Sequence, residues 1–160
     1  MADNQKITPL IDRYAAGAEL LKRAVSGMTR EQVAARPVAG KWSTLEVVAH
    51  IADFEVIGVD RLAVVIAETD PSLPGRDEQQ YIPRLAYEQR NFDEQLQLID
   101  LLRRHMTSIL RTLDDSALAR RGIHSEAGPL TLEQLLERVS RHIEHHVVFI
   151  HEKRQALGLS

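Results

Sequence analysis

The sequence predicts an all-α chain built as a four-helix bundle, and three observations carry that prediction. The 8 glycines and 6 prolines of the 160 residues fall mostly between long stretches with apolar residues at helical spacing. Aromatic residues make up only 4% of the chain and β-branched alternation is absent, so strands have little support. Two capping boxes, Ser43 with Glu46 and Thr131 with Gln134, each open a long periodic run.

The first helix is expected from Thr8, with Pro9 in the first turn where its missing N–H is harmless, to about Gly27. In the connector TREQVAARPVAGKW, Thr29 and Gln32 have capping-box spacing and start a brief helical turn. The second long helix opens at Ser43 and runs to about Glu68, where TDPSLPG breaks it and a loop continues towards Pro83. A third helix is expected over roughly Arg84 to Leu113. DDSALARRGIHSEAGPL reads as a loop with at most one helical turn, and the fourth helix runs from Thr131 to about Ala156. The loops are long for a simple up-and-down bundle. One domain, 1–160, is long enough to bury a core without metals or disulfides.

Charge is nearly balanced, 20 Lys+Arg against 23 Asp+Glu, which argues against a nucleic-acid partner. No apolar run approaches the roughly 18 residues of a membrane span. The N-terminal MADNQKITPLIDR lacks the layout of a secretory signal, so a cytoplasmic protein is expected. There is no cysteine. The chain therefore offers no thiolate, any metal must be held by nitrogen and oxygen, and any sulfur chemistry needs a thiol brought in by a substrate.

Four of the 7 histidines crowd into RHIEHHVVFIHEKR. With His142 placed at 0°, a 100° advance per residue puts His146 at about 40°, His145 at about −60° and His151 at about 180°. The apolar stripe of Leu132, Leu135, Leu136, Val139, Ile143, Val147 and Ile150 centres near about 80°, so His142 and His146 flank it one turn apart. At that spacing two imidazoles can converge on a cation, although a surface pair or a dimer contact has the same pattern. His50 lies mid-stripe among Val47, Ile51 and Phe54 on the second helix, where a buried ring must find a hydrogen-bond partner or a metal. Together, the three supply the ligand set of an open catalytic metal site.

Trp42-Ser43, Glu46 and His50, with the HIEHH run from His142 to His146, resemble the DinB/YfiT-like superfamily over essentially the whole chain. The resemblance implies an up-down-down-up bundle, often a homodimer, holding a divalent metal on three histidines. By position these are His50, His142 and His146. Zinc is expected first, with nickel or iron as alternatives. The resemblance further implies a thiol-dependent S-transferase acting on a small electrophile with a low-molecular-weight thiol co-substrate, or a metal-water hydrolase. A non-catalytic dimeric metal-binding or stress-response module is the alternative. Many members carry glutamine where this chain has Phe149, so no role of that glutamine transfers.

Around the three histidines, Glu46 and Asp53 lie one turn either side of His50 and either could accept a ring N–H from a ligand. The capping box is the stronger claim on Glu46, and Asp53 reads first as a solvated helix residue. His145 could shuttle protons at the rim, though surface exposure is the simpler reading. His124 could cover the site from the last loop, though a plain loop histidine is the simpler reading. His105 and His151 read as surface groups, Trp42 as a packing anchor, and the arginine pairs at 103–104 and 120–121 as solvated charge.

Overall fold

In the computed structural model, which describes residues 5–159, four long helices form the bundle: α1 (Ile7–Val25), α3 (Thr44–Ala67), α5 (Phe92–Leu110) and α6 (Leu132–Ala156). Short helices α2 (Arg30–Ala34) and α4 (Glu78–Arg84), and strands β1 (Ser72–Leu73), β2 (Arg121–His124) and β3 (Gly128–Thr131), lie in the connections. All three capping boxes form with both reciprocal bonds, at Thr29, Ser43 and Thr131. The first helix begins one residue before the expected Thr8. Its cap is remote: the Asp115 carboxylate accepts from the backbone N–H of Lys6 and of Ile7, at 2.8 Å for the latter.

Side-chain contacts fix the helix directions. Arg13 pairs with Glu144 while Arg154 donates to Ser26 O at 2.8 Å, so α1 and α6 run parallel. Arg111 reaches Asp12 while Arg103 reaches Tyr14 O and Lys22 nears Asp100, so α1 and α5 are antiparallel. Val47, Val48 and Ile51 share a core cluster with Ile99, whereas Leu62 and Val65 share the other with Met106 and Leu110, so α3 and α5 are parallel. The order is up-down-down-up.

Parallel α3 and α5 force the chain to return along the bundle. The 24 residues of α3 rise about 36 Å, and the return segment carries β1 and α4. This corrects the expected third helix from Arg84. Helix α4 contains Pro83 and stops at Arg84, Ala86 takes a left-handed φ of 48°, and Tyr87–Gln89 make one 3-10 turn. Then Asn91 caps α5 by accepting from Glu94 N.

The last loop, expected from its composition to be free of strands, in fact carries two. Strands β2 and β3 form a hairpin, with Arg121 opposite Thr131 and His124 opposite Gly128, and β1 adds parallel to β2. Strands of two and four residues are too short to leave a periodicity. Among the described residues no helix is long and apolar enough to cross a membrane.

Candidate metal centre

The capping box at Ser43 fixes the start of α3 so that His50 falls inside the core, fully buried. Its ring is wedged between Phe54, at 4.7 Å between centroids, and Trp42, at 5.4 Å. Across the groove α6 presents His142 and His146 one turn apart. A close approach at Gly58 lets the two helices meet: a Cβ there would sit 3.3 Å from Val139 Cγ1.

The three Nε2 atoms converge. His142 Nε2 lies 3.0 Å from His50 Nε2 and 3.2 Å from His146 Nε2. A ring nitrogen carries one proton or one in-plane lone pair, so hydrogen bonding gives His142 Nε2 a good bond to only one of its two neighbours. One cation accepting all three lone pairs satisfies every ring. At metal–nitrogen bonds of about 2.0–2.1 Å, these separations correspond to angles of about 90–105°, within the range of tetrahedral and octahedral ions. The donor set therefore fits a divalent transition metal.

The protonation states agree. Burial, and then the neighbouring His146, pushes His50 down to about 3. Burial followed by His50 does the same for His142, and burial followed by His142 for His146, each to about 3. All three rings are neutral near pH 7, with lone pairs free to bind.

Two cavities border the triad, each on a different histidine. One, about 300 Å³, is lined by Trp42, Glu78, His146, Phe149 and Lys153. The other, about 140 Å³, has His142 in its wall together with Phe54, Arg61, His124 and Arg138. A larger cleft of about 630 Å³, walled by Val25, Met28 and Phe92, contains none of the three histidines.

Residues 13–150 match the sequence profile of the DinB superfamily. The chain belongs to the DinB superfamily. Among relatives, it is 29% identical over 141 residues to YfiT of Bacillus subtilis, covering 88% of this chain and 79% of that protein. It is 28% identical over 131 residues to a protein of Oceanobacillus iheyensis, covering 82% and 76%. Both are provisionally named metal-dependent hydrolases. The structure of YfiT, described as an unusual four-helix bundle, superposes with a TM-score of 0.89 at 26% identity, covering 100% of this chain and 92% of that one. A mycothiol-dependent maleylpyruvate isomerase shares the fold, with a TM-score of 0.70 at 14% identity over 89% of this chain and 59% of that one.

Against this superfamily background, the expected acidic partners are engaged elsewhere. Glu46 accepts from Ser43 N at 2.7 Å and pairs with Arg36. Asp53 is held by Arg90 at 2.6 Å. Among the described residues neither takes the Nδ1–H of His50, which has no protein partner. His145 is exposed, its ring against Phe149 at 4.9 Å. His105 and His151 are exposed, as expected. Trp42 packs as an anchor, and the ring it anchors is His50.

Three residues escaped the sequence reading. Arg103 is 1% exposed and forked onto fully buried Glu55, not solvated as its place in an arginine pair suggested. Arg120 also departs from that reading, donating to Val65 O and Glu68 O at the end of α3. Glu78, at the start of α4, holds Oε2 3.8 Å from His50 Nε2. No local pattern marks it. The return segment brings it over the triad only because α3 and α5 are parallel.

Proposed function

We propose that this protein is a metal-dependent enzyme in which His50, His142 and His146 hold a divalent cation, zinc first, that activates a nucleophile against a small electrophile. The convergence of three neutral imidazoles, one fully buried and two half-buried, on one point bordered by two cavities carries this reading. When bound, such a cation supplies Lewis acidity, lowering the pKa of a coordinated water or thiol. The protein's own groups do the rest. Trp42 and Phe54 clamp the His50 ring and exclude bulk water from its buried side. Glu78, half exposed and free to reach the open face, receives the nucleophile's proton on Oε2.

Two cavities bordering one centre suit two substrates, and we take thiol-dependent S-transfer as the leading reaction, with a thiol in one cavity and its electrophile in the other. Hydrolysis, the activity for which the bacillary relatives are provisionally named, uses the same residues with water as nucleophile. We further propose a homodimer as the assembled form, which size-exclusion chromatography with light scattering checks directly.

The test is metal stoichiometry followed by turnover. Untagged protein is stripped, reloaded with zinc, nickel or iron, and assayed with small thiols and a chromogenic aryl halide, and separately with nitrophenyl esters. We expect about one metal per chain, metal-dependent turnover in the thiol arm, and loss of both metal and turnover in His50→Ala, His142→Ala and His146→Ala. Failure to bind metal, or stoichiometric metal with no turnover in either arm, overturns the proposal.

A further inference from the structure

We propose that the cavity beside His142 is an anion subsite in which Arg61, Arg138 and His124 take the carboxylate of a small substrate whose reacting end lies at the three histidines. The reacting end rests on the function proposed above; the anion subsite rests on the cavity itself.

Its walls come from three elements. Helix α3 contributes Phe54, Ile57 and Arg61, helix α6 contributes Arg138 and His142, and the β2–β3 hairpin contributes His124. The mixture of apolar wall and cationic groups suits a ligand with an apolar body and one acidic end. A volume of about 140 Å³ admits several heavy atoms and no polymer, being roughly ten times what a single water needs.

The positive charge there is not neutralised by the protein. Many other arginines are paired: Arg13 with Glu144, Arg36 with Glu46, Arg90 with Asp53, Arg111 with Asp12 and Arg121 with Asp70. Arg61 instead donates one bond to the Pro74 carbonyl, at 2.7 Å. This fixes its guanidinium and leaves other N–H groups free. Among the described residues, neither Arg61 nor Arg138 has a carboxylate within 4 Å. Burial, then the like charge of Arg76, then that of Arg138 disfavour the charged form of Arg61, and Asp60 and Glu126 offset this only in part. An anion between two repelling guanidinium groups relieves that repulsion and gains charge-assisted, fork-shaped hydrogen bonds.

His124 adds a neutral donor. Its Nδ1 accepts from Glu126 N at 3.2 Å and from Ala127 N at 3.3 Å, so the tight hairpin turn holds the proton on Nε2. Burial, and then Arg61, lowers its pKa, which keeps the ring neutral. This histidine, which reads from sequence as a plain loop residue or a cover over the site, is a wall of the cavity.

The test uses metal-free protein, so that a carboxylate cannot bind by coordinating a metal. Butyrate, neutral butyramide and inorganic phosphate are titrated in turn, with the ring resonances of His124 and His142 followed by NMR. Butyrate is expected to give saturable shifts at His124, and butyramide none. Arg138→Gln, which alters an exposed side chain with no hydrogen bond or ion pair among the described residues, is expected to weaken butyrate about tenfold, as loss of a charged hydrogen-bond partner does. Arg61→Gln should do likewise, and Arg30→Gln, in the remote cleft, should change nothing.

Equal binding of butyrate and butyramide, unchanged butyrate affinity in Arg138→Gln, or binding of phosphate without butyrate overturns the assignment. Zinc uptake, measured in parallel by chelator competition, separates the two proposals. Zinc without butyrate binding removes the subsite alone. Butyrate without zinc binding removes the metal reading and leaves the subsite.

Discussion

Replacing Arg103 with methionine should be among the most damaging changes available outside the triad. The guanidinium donates from Nε to Glu55 Oε2 at 2.9 Å, and from its two terminal nitrogens to Glu55 Oε1, Tyr14 O at 2.6 Å and Val139 O at 2.9 Å. It also stacks over the Tyr14 ring at 4.3 Å. Both partners are at most 1% exposed, so Arg103→Met strands a carboxylate in the core. Breaking a buried pair from one side costs about 3–5 kcal/mol. At this chain length that is a fall of roughly 10 °C in Tm.

Glu55 limits the loss by taking a proton, because burial already raises its pKa and Arg103 is what opposes that shift. In the variant its folded pKa stands above the unfolded value. The folded state then binds the extra proton, and stability increases as pH falls through that raised pKa towards the unfolded carboxylate range. Urea denaturation at pH 7 and pH 5 should therefore show a smaller deficit at pH 5. Glu55→Leu combined with Arg103→Met should recover most of the loss, since an apolar pair of similar volume avoids the desolvation of both charges. A single-variant deficit below about 1 kcal/mol, or a double variant as unstable as the single, refutes this account. The pair matters to the site because Glu55 lies on α3 between His50 and Gly58, and Val139 lies on α6 just before His142. Zinc affinity should drop with stability in the single variant and return in the double.

Further measurements address other parts of the structure. Asp115→Ala removes the remote cap of α1 and should cost about 1 kcal/mol by urea denaturation, with helix content otherwise unchanged. Metal-free protein should lose stability as pH falls below about 6.5. The three rings are held down to about 3 when folded, so the unfolded chain binds more protons across that window. Thermal melts from pH 7 to pH 4 check the sign, and a flat profile refutes the burial of neutral rings. Zinc should raise Tm at pH 7 in proportion to the logarithm of its concentration above Kd, and this gain should vanish in His142→Ala. Glu78→Gln should leave zinc stoichiometry at one per chain while lowering turnover about 100-fold, the scale of a lost general base. Unchanged kcat there removes Glu78 from the reaction.

The helical class, three N-termini through their capping boxes, and the triad could be read from the sequence alone. These are local facts. A Ser or Thr three residues before Glu or Gln satisfies backbone N–H groups within one turn, and residues 142 and 146 must share a face at 3.6 residues per turn. His50 was legible because a polar ring in the middle of an apolar stripe faces inward. The cap at Asn91 was also legible in its spacing to Glu94, but the charged pattern before it looked continuous.

Contacts between residues distant along the chain emerge only on folding. Asp115 caps a helix more than a hundred residues away, Arg103 finds Glu55 across the core, and Arg61 meets Arg138 over a shared cavity. No periodicity encodes such meetings. Glu78 is the clearest case. A loop glutamate becomes a neighbour of His50 only because two parallel helices oblige the chain to retrace the bundle's length, and the return path crosses the groove where the three rings converge.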